Sequence, residues 1–189
     1  MEQHGVIMAD CPWKYGGTDQ HQSGRGGRQY PTMRTSALCA LPVAQVAAPA
    51  CLLLMWVTSP MLRDALRVID AWGWEYKTKI PWIKLEGDPA RTLSGDWQAK
   101  PQYGLGYWGR GCSEDVWICT RGKLTVPQAA RDSLLLLSQN FGHSRKPDNI
   151  YQYAELFPGP YLELFARRPR AGWAQWGNEV ADPIPLAAD

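Results

Sequence analysis

Asp10, Cys11, Pro12 and Trp13 follow one another directly after the apolar run Val6-Ile7-Met8-Ala9. A carboxylate, a main-chain carbonyl, a rigid proline and a large aromatic ring suit one task, holding a flat heterocycle by its exocyclic amine. The heterocycle stacks on Trp13 while its N–H groups donate to Asp10 and to the Cys11 carbonyl. An amine held this way loses some delocalisation into its ring and gains nucleophilicity. The chemistry that fits is in-line transfer of a methyl group from a sulfonium, which needs no metal and little acid–base help. Asp10 would then offset the positive charge growing on nitrogen. The competing role for an acid at such a place is a plain helix cap.

The elements that must position this tetrapeptide are those of an α/β fold. Val6 to Ala9 reads as a short buried strand that puts Asp10 at its carboxyl end, where ligands bind in open α/β sheets. Lys14 to Gln29 is a glycine-rich polar loop containing Tyr15, His21, Arg25 and Arg28. Its basic character suits a phosphate backbone, against the plainer alternative of a solvated loop. Thr35 to Ala48 predicts a short helix ending near Pro42, and Leu52 to Val57 a central parallel strand buried on both faces. Thr58-Ser59-Pro60 opens a helix with Ser59 as cap, carrying Leu62, Ala65, Leu66 and Ile69 inward, and Gly73 closes it. Strand, turn, helix and strand make a βαβ unit.

Glu75 to Lys84 reads as a strand interrupted at Pro81. Residues 86–110 form a second long irregular segment with Arg91, Trp97, Lys100, Tyr103, Tyr107, Trp108 and Arg110. Basic residues interleaved with aromatics suit a single-stranded or flipped nucleotide; packing of the aromatics onto the domain is the alternative. Asp115 to Thr120 predicts a strand, and Leu134 to Leu137 a strand or helix that periodicity leaves open. Pro147 to Phe157 predicts a helix buried through Ile150, Ala154 and Phe157. Its first turn near Lys146 is a place for an anionic ligand group. Tyr161 to Ala166 is a strand, Trp173 to Asn178 a turn or short strand, and Asp182 to Asp189 a tail.

Composition bounds the function classes. A chain of 189 residues with 45% hydrophobic and 20% charged residues supports one packed domain, 1–189, and hardly two. The net charge of +2 is too small to argue for nucleic acid, so that case rests on the local segments 14–30 and 86–110. Five cysteines without Cys-x-x-Cys spacing fit a reducing interior better than disulfides or zinc. The N-terminus lacks a signal pattern and no apolar run is long enough to span a membrane, so a cytoplasmic protein is expected.

Seven further segments accompany the tetrapeptide in order: Tyr30-Pro-Thr-Met33, Leu54-Met-Trp-Val-Thr58, Trp82-Ile-Lys84, Gly106-Tyr-Trp108, Ser144-Arg-Lys-Pro-Asp148, Leu162-Glu-Leu-Phe165 and Trp176-Gly-Asn178. With them, Asp10 to Trp13 resembles the Asp-Pro-Pro-Trp signature of adenine N-6 methyltransferases, the family of the messenger-RNA adenosine methyltransferase catalytic subunit and its bacterial and phage DNA-modifying relatives. The likeness runs from about Gly5 to Val180. It implies a Rossmann-like α/β fold, a mostly parallel sheet of about seven strands with helices on both faces, in the permuted β-class order. It implies S-adenosylmethionine as cofactor and no metal. Asp10, Cys11, Pro12 and Trp13 would be catalytic, and Asp10 would also be cofactor-binding. Carried over by position, Lys146 would pair with the methionine carboxylate. Glu163 and Phe165 would line the cofactor strand end, Arg167 and Asn178 would hold the ribose, and Glu179 or Val180 would touch the adenine in place of an upstream strand of the family.

Cys11 departs from the family's first proline, whose main-chain carbonyl a cysteine also supplies. The nucleophilic cysteine of cytosine carbon-5 methyltransferases resembles Pro-Cys, the reverse order, and no thiolate-activating pattern is present here. The segment after Arg167 is shorter than in the RNA enzyme and lacks its His-Asn pair. Tyr15, Arg25, Arg28, Tyr30, Lys84, Trp97, Lys100, Tyr107, Trp108 and Arg110 are the expected substrate-binding residues. The expected substrate is adenine in DNA, with the target base flipped out of any duplex. RNA, or a catalytically silent nucleic-acid-binding subunit, stands as the alternative; silent subunits lose the acid or the aromatic, and both are kept here. The expected partner is nucleic acid with no membrane; a monomer or homodimer is expected, with sequence preference coming from the two loops or from a second subunit.

Overall fold

The computed structural model describes residues 2–15, 31–86, 100–104, 108–131, 136–139, 146–181 and 183–186. The predicted segments at Tyr30, Arg25, Arg28, Arg91, Trp97 and Tyr107 lie outside the described residues. Eight strands form one sheet: β1 (His4–Ala9), β2 (Ala47–Val57), β3 (Glu75–Glu86), β4 (Lys100–Pro101), β5 (Ser113–Arg121), β6 (Leu136–Gln139), β7 (Tyr161–Leu164) and β8 (Trp173–Trp176). Their order is β4-β3-β5-β2-β1-β7-β8, with β6 also pairing β3. β1 runs parallel to β2 and β7, β7 to β8, and β3 to β6, whereas β5 runs antiparallel between β2 and β3.

Alternation along the strands divides the core in two. Ile7, Ala9, Leu53, Met55, Val57, Leu162 and Leu164 face one side, with α1 (Thr35–Cys39), α2 (Val43–Val46) and α3 (Leu62–Trp72) packed on it. Val6, Met8, Leu52, Leu54, Trp56, Val116 and Ile118 face the other, beneath α4 (Asn149–Ala154), whose Ile150 and Ala154 are buried with Phe157 just beyond. Period-two alternation thus gives every central strand two apolar faces, which is why β1 and β2 read as nearly continuous apolar runs.

Several local expectations are corrected. β2 is buried on both faces but only half parallel, because β5 pairs with it in the opposite sense over Cys51–Val57. The βαβ unit β2-α3-β3 exists with β5 inserted between its strands. Ser59 makes no capping hydrogen bond; Ser59–Met61 is a short 3-10 turn ahead of α3, and Gly73 closes the helix in the left-handed region as expected. The buried face of α3 is Ala65, Val68, Ile69 and Trp72, while Leu62 and Leu66 stay 41% and 43% exposed. Trp72 decides that rotation: it buries a larger apolar surface than either leucine and its indole N–H donates to the Leu38 carbonyl at 2.8 Å. β3 continues through Pro81, which lies opposite Asp115, one residue before pairing with β6 begins at Trp82, so the missing N–H interrupts no described pairing. The 35–48 helix is two short helices around Pro42, and the described part of the open segment, Leu136 and Leu137, belongs to β6. The helix after Lys146 is only Asn149–Ala154.

The first and seventh strands lie side by side, while the chain leaves β1 for β2 on the other flank. This reversal is a topological switch point, and the crevice beyond it holds ligands in open α/β sheets. Among the described residues no helix is long and apolar enough to cross a membrane.

After β7 and β8 the chain closes tightly. A Cβ at Gly177 would fall 2.3 Å from the Ala166 carbonyl oxygen, beside the Ala166 N–H bond to Trp176 at 3.0 Å. Gly177→Ala is expected to lower unfolding free energy by about 1–3 kcal/mol, the scale of an overpacked site. Gly172→Ala, at φ +80° with nothing within 4 Å, is expected to cost about 1 kcal/mol from backbone strain alone. Urea unfolding of the two variants measures the difference.

Candidate active site

Asp10 leaves the carboxyl end of β1, and β5 brings a second acid to it. Because β5 runs against its neighbours, it starts where β2 and β3 finish: register sets Asp115 opposite Val57 and Glu114 opposite Trp82. Lys146 arrives from the segment before α4 and is shared. Its Nζ donates to Glu114 Oε2 at 2.7 Å, lies 3.2 Å from Asp10 Oδ1, and sits 4.9 Å from the Trp56 ring centroid. Lys84, at the end of β3, pairs with the other Glu114 oxygen. The result is an alternating row, Lys84, Glu114, Lys146, Asp10, each charge facing an opposite one.

The electrostatics follow from this row. Burial pushes the Glu114 carboxyl up, but Lys146 and Lys84 outweigh it and leave the carboxyl below its ordinary value. Burial pulls the Lys146 ammonium down, and Asp10 and Glu114 outweigh that and hold it above its ordinary value. Both groups are therefore charged at neutral pH. Cys11 is the opposite case: burial, reinforced by Asp10, pushes its thiol well up, so the sulfur stays a thiol.

A cavity of about 400 Å³ opens beside the row. Met8, Asp10, Trp56, Lys146, Tyr151 and Glu163 form its wall on the α4 side, and Arg167, Arg168, Arg170 and Glu179 bring charge from the segments after β7 and β8. Tyr151 donates from its hydroxyl to Glu163 Oε1 at 3.0 Å. A second cavity of about 110 Å³ lies across Asp10, between Pro12, Met33 and Asn178; Asp10, Phe165, Arg167 and Glu179 line both. Phe165, which lines both spaces, stands at φ +62°, a left-handed conformation rare for a bulky residue. The two spaces together offer an ammonium for a carboxylate and carboxylates for cationic or hydroxyl groups, within the usual size range of a small-molecule site.

The structure gathers Asp10, Lys146, Glu163, Phe165, Arg167, Asn178 and Glu179 around these cavities. Pro12 lines the smaller one. Cys11 is buried, with its carbonyl accepting the Trp13 N–H at 2.9 Å. Trp13 departs from the expected stacking platform: it is 5% exposed, packed in the core, and lines neither cavity. Its segment is zipped to the chain at Met33, which donates to the Pro12 carbonyl at 2.7 Å and accepts from the Lys14 N–H at 3.1 Å. Lys84 likewise departs from a phosphate contact, its ammonium being committed to Glu114. Tyr15 is exposed and its hydroxyl lies 2.9 Å from Thr58 Oγ1, at the carboxyl end of β2. Lys100 is exposed on β4. Trp108 is 97% exposed, and Arg110 is tied to the carbonyls of Tyr103 and Gly104. Glu114 and Tyr151 were missed by the sequence reading. Glu114 alternates with Val116 and Ile118, so an acid in line with a buried strand face was the signal that pointed to it.

A mostly parallel sheet whose cavity opens at the switch point defines a Rossmann-like α/β domain. The sequence profile of the MT-A70 family matches residues 4–179, and the chain belongs to that family of methyltransferases. It is 31% identical over 202 residues to the Type II methyltransferase M.MunI of a Mycoplasma species, covering 96% of this chain and 79% of that protein. It is 28% identical over 182 residues to the human N(6)-adenine-specific methyltransferase METTL4, covering 93% of this chain and 37% of the relative. It is also 28% identical over 185 residues to the N6-methyladenosine RNA methyltransferase MTA1 of Cryphonectria parasitica, covering 93% and 51%. The chain thus spans most of the first relative and about half or less of the other two.

The charge row predicts a pH signature. A carboxyl held low in the fold stabilises it above the unfolded value near ~4.3 and stops doing so as pH falls through its lower folded value. An ammonium held high stabilises the fold below about 10.4 and stops doing so as pH rises through its higher folded value. Glu114→Gln is therefore expected to lose about 1.5–3 kcal/mol at pH 7, a hydrogen bond between charged groups, and less at pH 3, below the unfolded value. Urea unfolding at both pH values checks it; an equal loss at each would show that the Glu114 charge is not the source.

Proposed function

We propose that this chain transfers a methyl group from S-adenosylmethionine to the exocyclic N6 amine of adenine in DNA. The observation that carries the reading is Asp10, the acid of the tetrapeptide, joined through one cavity wall to Lys146. The donor set fits the cofactor: Lys146 would take the methionine carboxylate, Glu163 the hydrogen-bond-donating groups, and Arg167, Asn178 and Glu179 the ribose and adenine end. When bound, the cofactor supplies a sulfonium methyl group open to attack by a nitrogen lone pair. Asp10 accepts an N–H of the target amine, orients the lone pair, and offsets the positive charge that builds on nitrogen. The proton then shed leaves along that hydrogen bond. The Cys11 carbonyl is the second expected acceptor, and Pro12 fixes the turn that aims it. The buried Cys11 thiol takes no part. Removing a preorganised acceptor of this kind costs on the order of 100-fold in rate.

The DNA reading rests on the resemblance to bacterial and phage DNA-modifying members and on the length of M.MunI that the chain spans. Target contacts come from exposed Tyr15, Lys100, Trp108 and Arg110. The likeness to an RNA methyltransferase makes RNA the second arm of the test.

The protein is expected to give N6-methyldeoxyadenosine when incubated with labelled cofactor and matched DNA and RNA oligonucleotides, read by nucleoside mass spectrometry. Asp10→Asn is expected to lower the rate at least ~100-fold with cofactor affinity within about fivefold of wild type. Lys146→Ala is expected to weaken cofactor binding about tenfold or more, the loss of one charge-assisted contact. Wild-type rates in both variants would overturn the assignment, and methylated adenosine in RNA alone would move it to the RNA arm.

A further inference from the structure

Tyr151 belongs to none of the motif roles described above, yet it is among the most tightly held side chains around the larger cavity. Its ring lies 3.7 Å under the Arg170 guanidinium and meets the Trp173 indole edge-on at 5.2 Å. Arg170 is itself tied to Asp148 at 3.6 Å and Glu155 at 3.7 Å, and Trp173 donates to Glu155 at 2.9 Å. Held this way, the hydroxyl has its direction set by packing, and it donates to Glu163 Oε1 at 3.0 Å. Both residues line the cavity, Glu163 from β7 and Tyr151 from α4.

We propose that Tyr151 is a positioning residue for Glu163, fixing one carboxylate oxygen so that the other is presented, ionised, to the hydrogen-bond-donating groups of the methyl donor. The inference rests on the function proposed above. A half-buried carboxylate that must accept N–H or O–H groups faces two hazards, rotation away from the ligand and protonation. One pre-aimed donor counters both. Burial does push the Glu163 carboxyl up; the Tyr151 bond works against that, Asp10 adds to it and Arg170 opposes it. Burial and the neighbouring Glu163 push the Tyr151 hydroxyl up, so it stays a donor across the working range. The groups facing Glu163 are therefore Asp10 from the end of β1, Tyr151 from α4 and Arg170 after β7, with Lys146, Asp148, Arg167, Arg168 and Glu179 on the same cavity. On β8 its register partner is the uncharged Gln175. Tyr151 donates a hydrogen bond directly to the carboxylate, and a single-atom change removes it.

The test is calorimetric binding of S-adenosylmethionine and S-adenosylhomocysteine to the full chain from pH 8.5 down to the lowest pH at which it stays folded. Tyr151→Phe is expected to weaken binding about 5- to 10-fold, one hydrogen bond to a charged group. It should also carry the acid limb of the affinity profile to higher pH, because the carboxylate loses a stabilising donor. Glu163→Gln should remove that limb, and the double variant should bind no worse than Glu163→Gln alone. Thermal melts of each variant confirm folding. Wild-type affinity with an unmoved profile in Tyr151→Phe, or additive losses in the double variant, would overturn the positioning role while leaving the methyltransferase reading intact. Failure of the wild-type protein to bind either compound would overturn both.

Discussion

The site depends on one ammonium shared by two acids. Lys146 is the point at which the two chain segments that carry the chemistry meet, the turn after β1 and the segment before α4. A lysine taken out of water between two carboxylates is favourable only if both bonds are well made, since an uncompensated buried charge costs several kcal/mol. Here Lys84 completes the balance by facing the far side of Glu114. The row is neutral as a whole, which lets four charges sit together at the end of an otherwise apolar sheet.

The sheet order makes that row possible. Had β5 been parallel, Glu114 would lie at the opposite end of the sheet, some nine residues of strand away from Asp10. Reversing one strand brings its first residues to the carboxyl ends of β2 and β3, so an acid from the amino end of β5 meets a lysine from the carboxyl end of β3. The two halves of the core hold this register rigidly. A slip of one residue would turn Glu114 to the face covered by α1, α2 and α3 and bring Asp115 to the row. Wall and floor of the larger cavity come from the same alternation, since Met8 on β1 and Glu163 on β7 are register partners and share a face.

The sequence made legible those features that depend on neighbours along the chain. An apolar run of four residues sufficed for β1 and for the placing of Asp10, and Gly73 marked the end of α3. The ordered motifs carried the family and, through it, Lys146 and Glu163. Features that depend on partners distant in sequence were not legible. Glu114 matters because of a strand direction no local pattern reveals. Trp13 has the residue type of a stacking platform, but the backbone bonds to Met33 draw it into the core, where its indole N–H has no partner among the described residues. Leu66 has the spacing of a buried residue and lost its place to Trp72, which fills more volume and finds a carbonyl to bond. In each case tertiary packing overruled a local preference that was sound in isolation.

The unequal bonds at Lys146 bear on how one site can serve two ligands. Glu114 is held at 2.7 Å and is also gripped by Lys84, whereas Asp10 lies at 3.2 Å and borders both cavities. An anion approaching Lys146 competes with the longer bond first, so the ammonium keeps its anchor on Glu114 while Asp10 is released. A released Asp10 has lost its cation and regains a need for hydrogen-bond donors, which is the property an acceptor of an amine N–H must have. Of the two acids on Lys146, Asp10 is thus the one that an incoming anion would displace, and Glu114 the anchor.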